Sequence, residues 1–249
     1  MENKKLFGLI GYPLTHSFSK KYFDEKFEKE KIINSAFLLF PLIEIHQLPQ
    51  LINENPKLIG LSVTLPYKQS VIPFLDEMDE TAKKIGAVNC IKIKERKTKG
   101  YNTDVFGFRQ SIKPFLESHH QRALILGTGG ASKAVAFVLK EIGIDCFFVS
   151  RNKNEKNNTF SYDEINETIV NAFKLIVNTT PLGMYPNIND APDIPYQFVS
   201  SSHLLYDLVY NPTETEFLKR GKQKGASIVN GLSMLHQQAE EAWRVWNFE

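Results

Sequence analysis

The sequence predicts an α/β fold in two domains, an N-terminal α/β unit followed by a unit of the Rossmann, dinucleotide-binding type. Short apolar runs alternate with stretches of helical periodicity along the chain, the βαβα order that builds a mostly parallel sheet. Near the middle a glycine-rich turn joins an apolar run to a helical stretch, Leu126 to Ala131. Between the two halves the polar stretch Glu117 to Arg122 reads as a linker.

In chain order, Leu6 to Gly11 is an apolar run closed by Gly-Tyr-Pro, a buried strand entering a tight loop. Ser17 or Ser19 can cap the helix that follows, in which Phe18, Tyr22, Phe23 and Phe27 recur at three-to-four spacing. Strands are expected at Ala36 to Phe40, Leu58 to Val63 and Ala87 to Ile93, and helices at Ile45 to Ile52, Lys68 to Leu75 and Asp79 to Ile85. Lys92 to Lys99 alternates apolar and basic residues and reads as an exposed antiparallel hairpin. The second half offers strands at Ala123 to Leu126, Ile144 to Val149, Lys174 to Val177, Leu204 to Leu208 and Ala226 to Val229. Helices are expected at Ala131 to Ile142 and Gly231 to Asn247, and the Asn- and Lys-rich stretch Ser150 to Thr159 is expected to be a loop without a helix.

Composition excludes several classes of function. With 249 residues, 42% hydrophobic and 23% charged, the chain is neither disordered nor fibrous. A formal charge of +2, from 30 basic and 28 acidic residues, provides no field for a nucleic acid. No apolar run approaches the about 18 residues of a membrane span, and Met1 to Lys5 has no signal-peptide character. Cys90 and Cys146 lie in apolar runs without metal-ligand spacing, as expected of reduced thiols in a cytoplasmic protein that binds no metal.

The chemistry of the second half starts at Gly127-Thr128-Gly129-Gly130-Ala131-Ser132, between strand and helix. Gly127 permits the turn, Gly129 lets the backbone approach a pyrophosphate, and the helix N-terminus supplies unpaired N–H groups. Ser132 stands where the fingerprint has its third glycine. After the next strand, where an acid would bind the ribose of NAD, the chain reads Ser150-Arg151-Asn152-Lys153. A guanidinium there pairs with a 2′-phosphate, which favours NADP. Asn178-Thr179-Thr180-Pro181, released at a strand end, faces the nicotinamide side on the same topological rule.

The first half places polar groups at successive strand ends: Thr15 to Ser19, Ser62 to Lys68, Val88-Asn89, and Asn102-Thr103-Asp104. Each alone has a structural explanation, as cap, turn former or surface lysine. Together, hydroxyls, an amide, a lysine and a carboxylate suit recognition of a small polyhydroxylated acid, and Lys with Asp can move a proton.

These runs resemble the shikimate dehydrogenases over nearly the whole chain. Gly11 to Ser19 looks like that family's opening motif, Val63 to Lys68 like its V-T-x-P-x-K, and Ala87-Val88-Asn89 like its G-A-V-N. Gly100 to Asp104 looks like G-x-N-T-D, Asp207 to Thr213 like D-x-x-Y-x-P-x-x-T, and Gly231 to Gln238 like G-x-x-M-L…Q. The resemblance implies a substrate-binding domain of residues 1–104 and 233–249 and an NADP-binding domain of residues 105–232, with substrate bound between them. It implies Lys68 and Asp104 as the catalytic pair, and Ser17, Ser19, Thr64, Asn89, Tyr210 and Gln238 as substrate contacts. The cofactor set becomes Gly127, Gly129, Gly130, Ala131, Ser150, Arg151, Lys153, Asn178, Thr179, Gly231 and Met234. The implied activity is NADPH-dependent reduction of 3-dehydroshikimate by a monomer or homodimer. Two other readings stay open, a quinate/shikimate dehydrogenase using NAD as well and a non-catalytic NADP sensor, the latter disfavoured by Lys68 with Asp104. Two departures stand out, Lys20 in place of a common proline and a short loop after Arg151.

Overall fold

The computed structural model describes residues 4–14, 17–151 and 158–248. The chain forms two compact units, one of Met1–Thr103 with Ala239–Glu249, the other of Asp104–Gln238.

The first unit is built on six strands: β1 (Lys5–Gly11), β2 (Ser35–Pro41), β3 (Leu58–Val63), β4 (Glu77–Met78), β5 (Cys90–Lys94) and β6 (Lys97–Tyr101), in the order β2-β1-β3-β5-β6-β4. β1 pairs parallel with β2 and β3, while β5 runs antiparallel to β3 and β6. Side-chain alternation along β1 sends Phe7 and Leu9 to one face and Ile10 to the other. The first face is closed by α1 (Phe18–Lys29), through Phe23 and Phe27, and by the C-terminal helix. The second is closed by α2 (Leu48–Glu54), α3 (Tyr67–Ser70) and α4 (Glu80–Ile85), through Leu48, Ile52, Tyr67 and Ala82.

Where the elements depart from expectation, proline accounts for two cases. The helix expected from Ile45 begins as a single 3-10 turn, and α2 starts at Leu48 so that Pro49 falls in its first turn, where a missing N–H costs nothing. The helix expected from Lys68 to Leu75 breaks into α3 and a 3-10 turn at Ile72–Phe74, because Pro73 cannot continue an α-helix. β4 is two residues long, too short to leave a periodic signal.

The second unit carries six parallel strands: β7 (Arg122–Leu126), β8 (Asp145–Val149), β9 (Thr159–Phe160), β10 (Leu175–Asn178), β11 (Leu204–Asp207) and β12 (Ser227–Val229), ordered β12-β11-β10-β7-β8-β9. The chain winds outward from β7 through β8 and β9, then returns to β7's other side at β10, so a topological switch point lies between β7 and β10. Its helices are α5 (Asp104–Ile112), α6 (Gly130–Glu141), α7 (Glu167–Ala172), α8 (Glu216–Gln223) and the start of α9 (Leu232–Phe248). In α6 the buried positions Ala134, Val135, Val138 and Leu139 recur at helical spacing. The helix ends where Gly143 takes a φ of +83° and Ile144 N–H closes on the Leu139 carbonyl at 2.9 Å.

The linker expected at Glu117 to Arg122 is not a domain boundary: α5 precedes it and already belongs to the second unit. Packing explains this, since Phe108 meets the Tyr206 ring edge-on at 5.1 Å and Ser111 Oγ lies 2.6 Å from Tyr206 Oη. Ser150 to Thr159 includes residues 152–157, outside the described residues, so Lys153 also lies outside them. β8 and β9 pair in parallel across a connection of residues 150–158, shorter than the dozen or so residues of a usual crossover.

The β5–β6 hairpin turns through Glu95 and Arg96, at φ of 52° and 65°. That is a two-residue turn with both central residues left-handed, a conformation that favours Asn-Gly. Opposite Lys94 stands Lys97, and opposite Lys92 stands Lys99, like charges directly across the ladder. Replacing Glu95-Arg96 with Asn-Gly is therefore expected to stabilise the chain by about 1 kcal/mol, read as a higher urea midpoint with an unchanged slope.

Candidate active site

In the first unit, topology gathers the polar motifs at one edge of the sheet. β1 and β3 run parallel, and their carboxyl ends meet where Thr64 N–H donates to the Ile10 carbonyl at 3.0 Å. Because β5 is antiparallel to β3, its entry point Asn89 lies at that same edge, its carbonyl accepting from Val63 N–H at 2.8 Å. β6 ends there in turn, with its Tyr101 carbonyl accepting from Asn89 N–H at 3.1 Å. Ser17 and Ser19 thus follow β1, Thr64 and Lys68 follow β3, Asn89 precedes β5, and Asn102-Thr103 follows β6.

Ser17 is the cap of α1, its Oγ accepting from Lys20 N–H at 3.2 Å, whereas Ser19 lies within the first turn. Lys20 in place of a proline supplies that N–H. Lys68 sits in α3, and its carbonyl accepts from Val88 N–H at 2.7 Å, which ties the lysine's backbone to the Asn89 segment. Tyr67 beneath it is buried, donating to the Leu42 carbonyl at 2.6 Å. The Asn89 amide is oriented by Thr103, whose N–H donates to Asn89 Oδ1 at 2.6 Å. Asn102 donates to the Ala87 carbonyl at 2.9 Å and keeps a buried Oδ1 without a partner among the described residues. Thr103 and Asn102 had no individual role beyond membership of the strand-end Asn102-Thr103-Asp104 run.

The second unit begins with Asp104, buried in the first turn of α5. α5 passes α9 so closely that a Cβ on Gly107 would lie 2.6 Å from the Met234 carbonyl and 3.0 Å from Gln238 Cβ. Met234 is buried and Gln238 half-buried, with Gln238 Nε2 donating to the Leu235 carbonyl at 3.1 Å. Gly231, just before α9, donates to the Val209 carbonyl at 3.1 Å, beside half-buried Tyr210. Burial raises the phenol of Tyr210 above its ordinary range.

On the cofactor side, Leu126, Val149, Asn178 and Asp207 share one register row, so the carboxyl ends of four strands are level. Gly127 leaves β7 at a φ of +104°, where a Cβ would stand 2.9 Å from Thr179 Oγ1. Only glycine serves there. Gly129 has open space where a Cβ would project, and as N-cap of α6 it offers no side-chain acceptor to the first-turn N–H groups of Gly130 and Ala131. Those groups and the bare backbone fit a pyrophosphate. Ser132 in the third glycine's place is buried, and its hydroxyl donates to the Gly129 carbonyl at 2.6 Å. Ser150 follows β8, and Arg151 beside it is exposed. Thr179 is held by two bonds to the Leu126 carbonyl, at 3.0 Å from its N–H and 2.6 Å from its hydroxyl.

Asn178 differs from expectation. It is fully buried, its Nδ2 donating to Asp207 Oδ1 at 2.9 Å and its Oδ1 accepting from Thr180 N–H and Oγ at 3.0 and 2.6 Å. That side chain is spent within the protein and shapes the loop from inside.

Residues 9–91 match the family model described as the shikimate dehydrogenase substrate binding domain. A curated relative, the shikimate dehydrogenase (NADP(+)) of Carboxydothermus hydrogenoformans, is 40% identical over 97% of this chain and 91% of its own. The chain belongs to the shikimate dehydrogenase family. Shikimate 5-dehydrogenase from Thermus thermophilus, solved in complex with NADP(H) and shikimate, superposes with a TM-score of 0.85 at 29% identity, over 97% of this chain and 93% of that one. Quinate dehydrogenase from Corynebacterium glutamicum, solved in complex with NAD, gives 0.85 at 26% identity, over 98% and 94%. The chain thus has the family's two-domain α/β architecture, and the resemblance read from its motifs holds. No described helix is long and apolar enough to cross a membrane, and no described group of His, Cys, Asp and Glu could hold a metal.

Burial pushes the Asp207 carboxyl up to about 6, while hydrogen bonds from Thr215, Val209 and Asn178 pull it down. A folded value above the unfolded one, about 3.9, means that the native state binds the proton more tightly. The contribution to stability is present at low pH and is lost as pH rises from about 4 through 6. Asp207→Asn cannot titrate, so wild type should lose urea stability relative to this variant between pH 4.5 and 7; a flat difference contradicts the assignment.

Proposed function

We propose that this chain catalyses the reversible, NADPH-dependent reduction of 3-dehydroshikimate to shikimate. The observation that carries the reading is the single sheet edge at which Ser17, Thr64, Lys68 and Asn89 emerge, with Asp104 the next residue beyond Thr103. Bound NADPH supplies the hydride that reduces the ketone.

The protein's own groups do the rest. The Ser17 and Ser19 hydroxyls donate to the substrate carboxylate. For Ser17 this is compatible with capping, because the cap uses an oxygen lone pair and leaves the hydroxyl proton to donate elsewhere. Thr64, Asn89, Tyr210 and Gln238 hold the ring hydroxyls. Lys68 stabilises charge growing on the ketone oxygen and supplies its proton, while Asp104 orients the lysine, shares that proton and holds a hydroxyl. In the second unit Gly127, Gly129, Gly130 and Ala131 cradle the pyrophosphate, Ser150, Arg151 and Lys153 take the 2′-phosphate, and Thr179, Gly231 and Met234 line the nicotinamide.

Lys68→Met is expected to lower turnover with shikimate and NADP+ by at least about 100-fold without changing the fold by circular dichroism. A rate within a few-fold of wild type would remove Lys68 from the mechanism. Arg151→Ala should weaken NADPH by about tenfold, the loss of one charge-assisted contact, and leave turnover at saturation nearly intact. The connection between β8 and β9, short for a parallel crossover, favours as a second reading the use of NAD as well, and the same acid site could take quinate. Comparing shikimate and quinate turnover with each nucleotide decides between the two. The two buried cysteines, neither in a disulfide, agree with a cytoplasmic enzyme, acting as monomer or homodimer.

A further inference from the structure

We propose that Asp207 is a positioning residue, whose buried carboxylate holds the loop after β10 in the shape that receives the nucleotide. The proposal rests on the function put forward above but concerns a residue outside that mechanism.

Asp207 ends β11 and is fully buried, and the donors to its carboxylate, an amide, a backbone N–H and a hydroxyl, are all neutral. Oδ1 accepts from Asn178 Nδ2 at 2.9 Å and from Val209 N–H at 3.0 Å, and Oδ2 from the Thr215 hydroxyl at 2.5 Å. Three segments are joined at one group: the end of β10, the stretch leading to Tyr210, and the cap of α8, where Thr215 Oγ1 also receives Leu218 N–H. The connection continues outward. Asn178, held by Asp207, presents Oδ1 to Thr180 N–H and Oγ1, and Thr180 Oγ1 accepts from Leu182 N–H at 3.3 Å. Thr179 lies between these anchors, fastened to Leu126 and against Gly127. The end of β10 is thereby bonded to the carboxylate directly, and the next residue, Thr179, joins it to the end of β7.

Stability alone does not explain an ionisable group in this place. Its raised pKa means that the ionised form at neutral pH is disfavoured by burial, and a well-packed apolar residue often stabilises such a position more. What the carboxylate does, and an apolar residue cannot, is accept from three separate segments at once. Burial, with a smaller contribution from the Asp207 charge, raises the phenols of Tyr196 and Tyr206 above their ordinary range.

The experiment compares Asp207→Ala and Asp207→Asn with wild type in three measurements: amide hydrogen exchange without nucleotide, NADPH affinity by fluorescence titration, and steady-state kinetics. In the alanine variant, exchange at Thr180 and Val209 should rise at least tenfold while Leu124 and Ile125 in β7 stay protected. NADPH affinity should fall about tenfold, with a matching rise in KM. Asp207→Asn, which keeps an acceptor for Asn178 and Val209, should recover most of both. Loss of protection in β7 together with the loop, or a lower kcat with unchanged KM and NADPH affinity, would reduce Asp207 to an ordinary core residue and overturn the proposal. If the alanine variant does not fold, Thr215→Val, which removes only the Oδ2 bond, must give the same order of effects at smaller size. Failure of wild type to oxidise shikimate would reject the proposed reaction but not the exchange result, so the two can fail separately.

Discussion

The docking of the C-terminal helix on the first sheet is the contact on which the N-terminal unit depends. A Cβ on Gly60 in β3 would lie 2.5 Å from the Trp246 ring, so the indole rests on bare backbone. Its Nε1 donates to the Ile91 carbonyl at 3.1 Å, and Phe7, Phe23 and Phe37 surround it within about 6 Å between ring centres. Without this helix, one face of a sheet that includes β1 and β3 would lack much of its cover, and those are the strands whose ends carry Ser17, Thr64 and Lys68. The end of α9 from Ala239 therefore belongs to the first unit, with Ala239, Ala242, Val245 and Trp246 in its core.

At the candidate site, residues hold the fold through atoms other than those that the proposed chemistry would use. Ser17 caps α1 with a lone pair and keeps a proton to donate. Lys68 offers its carbonyl to Val88, which fixes its backbone without using its side chain. Ser132 stands where the fingerprint has a glycine, and its buried hydroxyl is satisfied by the Gly129 carbonyl. A structural explanation for each residue and a functional one thus coexist, which is why weighing them one at a time undervalues the set.

Much of this was legible in the sequence because period and turn chemistry are local. The strands β1, β3, β7, β8, β10 and β11 and the glycine turn were legible from apolar runs and flanking glycines, as was the placing of the candidate residues Thr64, Asn89 and Thr179 at strand ends. The misses have physical causes of three kinds. Prolines shifted one helix start and cut another helix short, since periodicity does not register a missing N–H. The composition break at Glu117 looked like a linker, but domain membership is set by long-range packing of Phe108 and Ser111 on Tyr206, nearly a hundred residues away. And Asn178 looked like a ligand-facing amide, whereas its orientation is decided by a carboxylate on the neighbouring strand.

That last case shows what a motif conceals. The Asp-x-x-Tyr run suggests a tyrosine for the substrate and leaves the aspartate unexplained, because its partners are dispersed over residues 178 to 215. A carboxylate is the smallest group that can accept from an amide, a backbone N–H and a hydroxyl arriving from different directions. Wherever one strand end must fix two neighbouring loops, such a group is worth its burial even at pH values where ionising it costs stability. The aspartate belongs with the tyrosine in sequence because the segment that it anchors is the one on which the tyrosine rides.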